Sequence, residues 1–233
     1  MIKKVIKKLL SNIGNSLNKN ILPTYKASVI ERVKSESKKL SAEFIVSNLS
    51  NANLFENLSE IHMHIISKIN RSGLILEFGV YSGRSIKRFS KQLYNMDDNR
   101  TIYGFDSYEG LQEDWSGAPG IIKGSFKTKP PKVPPNVQLV IGLVQDTFEN
   151  FLKDTEDKHV AFIHLDMDTY TPTKYVLEKA KPYFQKGTII LFDELYGYPN
   201  WQNHEYLALT ETLKPDEYEF ILFGNEQCAI RIL

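Results

Sequence analysis

The stretch LEFGVYSGRSI, Leu76–Ile86, decides how the chain is read. It closes an apolar run that begins at Leu74 and breaks at Gly79 and Gly83. It then passes into a segment with Ile86, Phe89 and Leu93 at helical spacing. A buried strand, a glycine turn and a helix in that order form the first half of a parallel β-α-β unit. Leu74–Phe78 is expected as the strand and Ser85–Tyr94 as the helix. The glycines allow a tight turn and let backbone N–H groups approach a ligand closely. The helix points its positive end at the same place. The spacing is E-x-G-x-x-x-G, which is neither the dinucleotide pattern G-x-G-x-x-G nor a phosphate loop with G-K-[ST]. Taken alone, it fits a structural turn as well as a ligand cradle.

Working outward, the same alternation continues. Further strands are expected at Thr101–Phe105, Val137–Ile141, Val160–Leu165 and Thr188–Phe192. Thr147–Leu152 begins one helix, and Thr171-Pro172 begins another that runs to about Phe184, closed by Gly187. Tyr218–Phe223 and Cys228–Leu233 form an expected antiparallel pair. The fold class is therefore α/β: a doubly wound, mostly parallel sheet with an antiparallel C-terminal strand pair. Residues 41–70 suggest two helices, the second carrying Ile61, Ile65 and Ile69. His62 and His64, two apart on that helix, point in different directions and read as surface or packing residues. Residues 1–20 set Ile2, Val5, Ile6, Leu9, Leu10 and Ile13 among lysines, an amphipathic basic helix. Its apolar stripe suits the protein's own body, a dimer contact or an anionic membrane. The division expected is a helical extension over 1–70 and one domain over 71–233. Within that domain, residues 112–136 are too long and proline-rich for a connector and are expected as a lid.

At 233 residues, with 42% hydrophobic and 24% charged side chains, the chain suffices for one sizeable domain. A formal net charge of +1 argues against nucleic acid as a partner. The single cysteine, Cys228, excludes an intrachain disulfide and a cysteine zinc site, and suits a reducing, cytoplasmic compartment. No apolar run approaches the roughly 20 residues of a membrane span. Lysines interrupt the N-terminus and no cleavage site follows, so no signal peptide is expected.

In an open parallel sheet, ligands bind beyond the carboxyl ends of the strands. The opening stretch supplies Glu77, Gly79, Gly83 and Ser85 there. Asp106, ending the next strand, can accept from both hydroxyls of a ribose or cap a helix. Asp146 can meet an adenine amino group or serve as a cap. HLDMD places His164, Asp166 and Asp168 on one side by alternation, and the next strand ends in Asp193 and Glu194. Neighbouring strands lie about 4.8 Å apart, so Asp166 and Asp193 should converge. Carboxylates so placed repel unless protonated or sharing a cation. An all-oxygen donor set favours Mg²⁺ over zinc.

These residues resemble the class I S-adenosylmethionine-dependent methyltransferases, specifically the macrocin-type O-methyltransferases that act on sugar hydroxyls of macrolides and related products. The resemblance rests on LEFGVYSGRS, IYGFDSYEGLQEDW with KGSF at 123–126, HLDMDTY, and FDE followed by YPNWQNHEYLAL. It implies a Rossmann-like fold with S-adenosylmethionine and Mg²⁺ as cofactors. Glu77 and Gly79 would border the methionine part of the cofactor, Ser85 its carboxylate, Asp106 its ribose and Asp146 its adenine. Ser82, Gly83 and Ser107 complete that set. Asp166, Asp193 and Glu194 would match the metal ligands and Asp168 the general base, with His164 as runner-up. Family members often carry a second Asp where this chain has Glu194. The acceptor implied is a sugar-containing small molecule, and the assembly a homodimer. Trp115 and Phe126 in the lid could shield the reacting centre. Lys123, Lys127, Lys129 and Lys132 could meet a phosphate on the acceptor or merely solubilise the loop. Three rival readings stay open: a catechol-type methyltransferase, a nicotinamide-dependent oxidoreductase, and a non-catalytic nucleoside-binding or membrane-associated protein anchored by residues 1–20.

Overall fold

The apolar runs become the central strands of one mixed sheet in the computed structural model, which describes residues 28–156 and 159–233. The helix expected over residues 1–20 lies outside the described residues. In chain order the elements are α1 (Val29–Asn48), β1 (Asn53–Leu54), α2 (Leu58–Ile66), β2 (Leu74–Phe78), α3 (Arg84–Asn95), β3 (Ile102–Asp106) and β4 (Val137–Ile141). They continue with α4 (Val144–Asp154), β5 (Val160–Leu165), α5 (Tyr170–Ala180), β6 (Phe184–Phe192), α6 (Glu205–Thr212), β7 (Tyr218–Phe223) and β8 (Cys228–Ile232).

Eight strands lie in the order β1-β7-β8-β6-β5-β2-β3-β4. Only β8 opposes its neighbours, β6 and β7; the remaining pairs are parallel. The chain leaves β2 through β3 and β4 in one direction, then returns to place β5 on the other side of β2. That reversal is the switch point at which such sheets bind ligands.

Side-chain alternation splits the core in two. Leu74, Leu76 and Phe78 face α4, α5 and α6 through Phe148, Val176 and Leu209. Ile75 faces the other way, with Phe162, Leu191, Ile65 of α2 and Phe89 of α3. Every residue of β2 and β5 is buried, as a strand covered on both faces requires.

The structure corrects three sequence expectations. Residues 41–70 do not hold two whole helices: α1 starts at Val29, where Ser28 and Glu31 form a reciprocal capping box. Its exposed Val29, Val33 and Leu40 blur the stripe that would have revealed it. Second, α5 stops at Ala180 rather than Phe184, because Pro182 cannot continue it and a short 3₁₀ turn, Lys181–Tyr183, follows. Third, Gly187 is no helix cap; it lies inside β6 with φ of +93°. β1, within the stretch expected as an N-terminal extension, adds an edge strand beside β7.

Candidate active site

The turn after β2 is built on Gly79. Its N–H donates to the Phe105 carbonyl at 2.9 Å, and its φ is +87°. A Cβ there would stand 1.7 Å from the Asp166 carbonyl oxygen, so no other residue lets the turn rest against the end of β5. Asp106 ties the neighbouring loops together. Its Oδ2 accepts from the N–H groups of Val80 (2.9 Å) and Tyr81 (2.7 Å), and its Oδ1 from that of Tyr108 (2.7 Å). Left-handed backbone at Tyr81, Tyr108, Phe126 and Asp168 is costly for side chains of these sizes and gathers around this spot.

The resulting cleft has a volume of about 240 Å³, a little below the roughly 300–1,000 Å³ typical of small-molecule sites. Of the residues singled out in the sequence, Gly79, Asp106, Ser107, Asp166, Asp168 and Glu194 line it, as do Trp115 and Phe126 of the 112–136 loop. Other candidates lie elsewhere. Glu77 is fully buried behind the turn, its Oε1 accepting from Ser85 Oγ at 2.9 Å and its Oε2 lying 3.4 Å from His164 Nδ1. Ser82 is exposed, Gly83 is the N-cap of α3, and Asp146 is exposed in the first turn of α4. Sequence reasoning missed Tyr81, Leu111, Gln112, Leu143, Met167 and Pro172 as lining residues. Leu143 and Met167 each sit next to a strand end already under suspicion, so proximity could have flagged them. Tyr81 and Gln112 carried no signal of their own.

Beside the cleft, one oxygen each of Asp166, Asp168 and Glu194 lies within 4.8 Å of the others. Burial, reinforced by the charge of Asp193, pushes Asp166 and Glu194 well above the ordinary carboxylate range. Burial raises Asp168 to about 6, even though a hydrogen bond with Glu194 pulls the other way. Asp193 behaves differently. Burial works to raise it, but His164, whose Nε2 lies 3.7 Å from Asp193 Oδ1, outweighs burial and holds the carboxyl below its usual range. His164 in turn is raised well above an ordinary histidine, as Asp193 and Glu77 overcome its burial. Glu194 Oε2 and both oxygens of the fully buried Glu205 have no hydrogen-bond partner. Converging carboxylates with an orphan oxygen are the donor set a hard divalent ion takes, so these residues fit Mg²⁺.

The 112–136 loop is tied to the body of the domain by several side chains; Gln112 Oε1, for one, accepts from Gln145 Nε2 at 2.7 Å. Glu113 accepts from the N–H (2.8 Å) and the hydroxyl (2.8 Å) of Thr171, and so caps α5 from outside. Ser116 Oγ lies 2.8 Å from His204 Nε2, while Trp115 packs on Tyr198 with ring centres 5.3 Å apart.

A strand-end cleft at the switch point, with an acid after the second central strand and a carboxylate cluster across from it, defines a Rossmann-like enzyme fold of the class I methyltransferase type. Residues 76–195 match the family described as "Methyltransferase domain", and the chain belongs to that family. It is an S-adenosylmethionine-dependent O-methyltransferase. Among solved structures, the chain is similar to CalS11, "Calicheamicin Methyltransferase", at 26% identity over 88% of this chain and 93% of that one, with a TM-score of 0.64. A second CalS11 structure, described as "TDP-rhamnose 3'-o-methyltransferase", gives 25% identity over 88% and 95%, TM-score 0.55. Two further likenesses bear on the fold alone. The O-methyltransferase NovP shares 17% identity over 75% and 78%, TM-score 0.54. The structure "cmcI-D160 Mg-SAM" shares 17% over 76% and 73%, TM-score 0.51. Comparison with curated protein sequences gave no match.

Proposed function

We propose that this methyltransferase moves the methyl of S-adenosylmethionine to a hydroxyl of a sugar carried on a small molecule, and that it does so with Mg²⁺. The observation that carries the reading is the cluster of buried and half-buried acids flanking the cleft at the strand ends. The likeness to CalS11, described as acting on a TDP-sugar, supports the acceptor class. The cmcI structure, whose description names Mg and SAM, supports a reading in which the same fold takes both.

Each residue has its own part in this chemistry. Asp106, with Ser107, faces the ribose, and the amides of the Gly79 turn border the methionine end. Asp166 and Glu194 belong both to the converging set and to the ligands that the family resemblance implies; they would hold the cation, with Asp193 beside them. A bound divalent ion lowers the pKa of an oxygen it touches, which is what an alcohol acceptor needs. Asp168, poised near neutrality by burial, is the base that takes the hydroxyl proton on its carboxylate. Trp115 and Phe126 close over the reaction and exclude water. Residues 71–233 serve as the catalytic unit with 112–136 as lid, and the N-terminal helices join two copies; the exposed Val29, Val33, Leu40 and Val46 of α1 support that contact. A reducing compartment such as the cytoplasm suits the lone, buried thiol of Cys228.

The test is methyl transfer from labelled S-adenosylmethionine to a panel of nucleotide sugars, free sugars, glycosides and catechols, with Mg²⁺ and with chelator. Transfer to a sugar hydroxyl that stops on chelation is expected. Asp166→Ala should abolish turnover while S-adenosylmethionine binding survives in calorimetry. Undiminished turnover in chelator removes the metal from the reading, and transfer to catechols alone removes the sugar.

A further inference from the structure

Two segments that meet at the mouth of the cleft are basic throughout. Residues 79–96, the glycine turn and α3, carry four basic side chains and no acidic one. Residues 115–137, most of the lid, carry four more and again no acid. The fold lays the second segment along the first. Phe126 sets its ring 6.0 Å from that of Tyr81, and Thr128 donates its N–H to the Tyr108 carbonyl at 3.2 Å. Pro131 lies against Gly83, whose other close neighbour is the Lys87 side chain. Lys127, Lys129 and Lys132 of the lid are thereby brought beside Arg84 and Lys87 of α3, and all five are exposed. Among the described residues none of the five is in an ion pair, not even with Glu109 of the adjoining loop. Like charges gathered in this way repel one another, and cations in the first turn of a helix work against its dipole. The first turn of α3 has no acid to offset them. In a chain of formal net charge +1, an anion arriving at the cleft is what relieves that repulsion.

We propose that this basic rim holds the diphosphate of a nucleoside diphosphate sugar, so that a nucleotide handle presents the acceptor's hydroxyl to the cleft. The inference rests on the sugar reading above and names the group that carries the sugar. Tyr81 and Phe126 line the cleft yet stay 49% and 44% exposed. Flat exposed rings next to cations suit a nucleoside diphosphate, because the rings stack on the base while the cations take the phosphates. Lysine ammonium groups on flexible stems act as point charges that follow a bending diphosphate. The aromatic pair and the cleft it lines favour a small ligand over an extended lipid or nucleic-acid surface. A sugar still joined to its nucleotide has yet to be handed on. The reaction that consumes the product is therefore a glycosyl transfer in which the nucleoside diphosphate leaves.

UDP, TDP and GDP, and the three nucleosides without phosphate, are titrated calorimetrically into the full chain saturated with S-adenosylhomocysteine, which keeps them out of the cofactor's place. At least one nucleotide is expected to bind, about tenfold or more tightly than its nucleoside, and several-fold more weakly when salt rises from about 50 to about 300 mM. The triple variant Lys127→Gln, Lys129→Gln, Lys132→Gln should lose about tenfold or more of that affinity and keep its affinity for S-adenosylmethionine. In turnover, its KM for the nucleotide sugar should rise by a like factor with kcat held, while a neutral glycoside is used as before. The comparison of nucleotide with nucleoside and the salt series need no variant, so they stand if the triple variant fails to fold. Absence of binding by all three nucleotides overturns the proposal, as does a folded triple variant that binds them as the wild type does. Lysine-dependent binding to phosphatidylglycerol vesicles without nucleotide binding overturns it in favour of a membrane surface. Methyl transfer to neutral glycosides with no nucleotide binding sinks the rim and leaves the proposed function standing; lysine-dependent nucleotide binding in a protein that methylates no sugar does the reverse.

Discussion

Two residues show how far single positions control the site. Gly79→Ala puts a methyl 1.7 Å from a backbone oxygen and asks alanine to hold a φ of +87°. Overpacking and left-handed strain together should cost about 3 kcal/mol or more, and S-adenosylmethionine binding should be lost with them. Urea denaturation and calorimetry check both; a variant as stable as the wild type would mean the turn is not pinned to β5. Asp168 makes the second case. Burial raises its carboxyl to about 6 and a base works only when deprotonated, so kcat/KM should climb as pH rises through that region and then level off. Asp168→Asn should lower kcat/KM by roughly 100- to 10,000-fold and erase that limb, with cofactor affinity kept. The acids at Asp106, Asp166, Asp168 and Glu194 were legible because alternation and the strand-end rule place them without any knowledge of packing. Depth was not legible. Glu77 sits on the same strand as the core and turns to Ser85 and His164 instead of the cleft. His62 gave only its helix face, because the rings it meets, Phe89 and His164, lie on other elements, the second about 100 positions away in the chain.

At the scale of elements, strands were readable to within a residue or so wherever both faces are covered, since an uninterrupted apolar run leaves few alternatives. Helix ends were less so. The reading of Thr171-Pro172 as a self-capped start fails for a non-local reason: Thr169 is the N-cap but its hydroxyl turns back to the Met167 carbonyl and caps nothing, and the cap comes from Glu113, 58 residues earlier. A sequence window around α5 cannot contain that information. Coupling the lid to a core helix in this way has a measurable consequence. Glu113→Ala should remove about 1 kcal/mol of capping, lowering Tm by about 2–4 °C in a chain of this size. It should also speed proteolytic cleavage within 112–136, because the loop then keeps only its remaining ties, among them Gln112 to Gln145, Ser116 to His204 and Trp115 on Tyr198. Glu113→Gln keeps a side-chain acceptor and should lose less. If the alanine variant is cut no faster than wild type, Glu113 caps α5 without restraining the lid.

For the whole molecule, the formal net charge of +1 conceals a steep internal separation of charge. Asp166, Asp168, Asp193, Glu194 and Glu205 gather at one end of the sheet, where burial keeps four of the five protonated beyond the ordinary carboxylate range. Composition averages this away; only the strand order brings the acids together. The sign of the resulting pH dependence follows directly. Above the unfolded value of about 4, the unfolded chain has released a proton that Asp168 still holds, so its contribution to stability falls as pH rises towards about 6; Asp166, Glu194 and Glu205, raised as well, act in the same direction. Asp193, held low by His164, works the other way: its contribution is present above the unfolded value and is lost as pH falls below it. A divalent cation competes with the cluster's protons and binds best once they have left. Mg²⁺ at about 100 times its Kd should add about 2.7 kcal/mol at pH 8, or about 5–10 °C in Tm, and much less at pH 5. Scanning calorimetry at the two pH values, with and without Mg²⁺ and repeated on Asp166→Ala, measures that difference. An equal Mg²⁺ increment at both pH values, or one that survives Asp166→Ala, would mean the ion sits somewhere other than among these carboxylates.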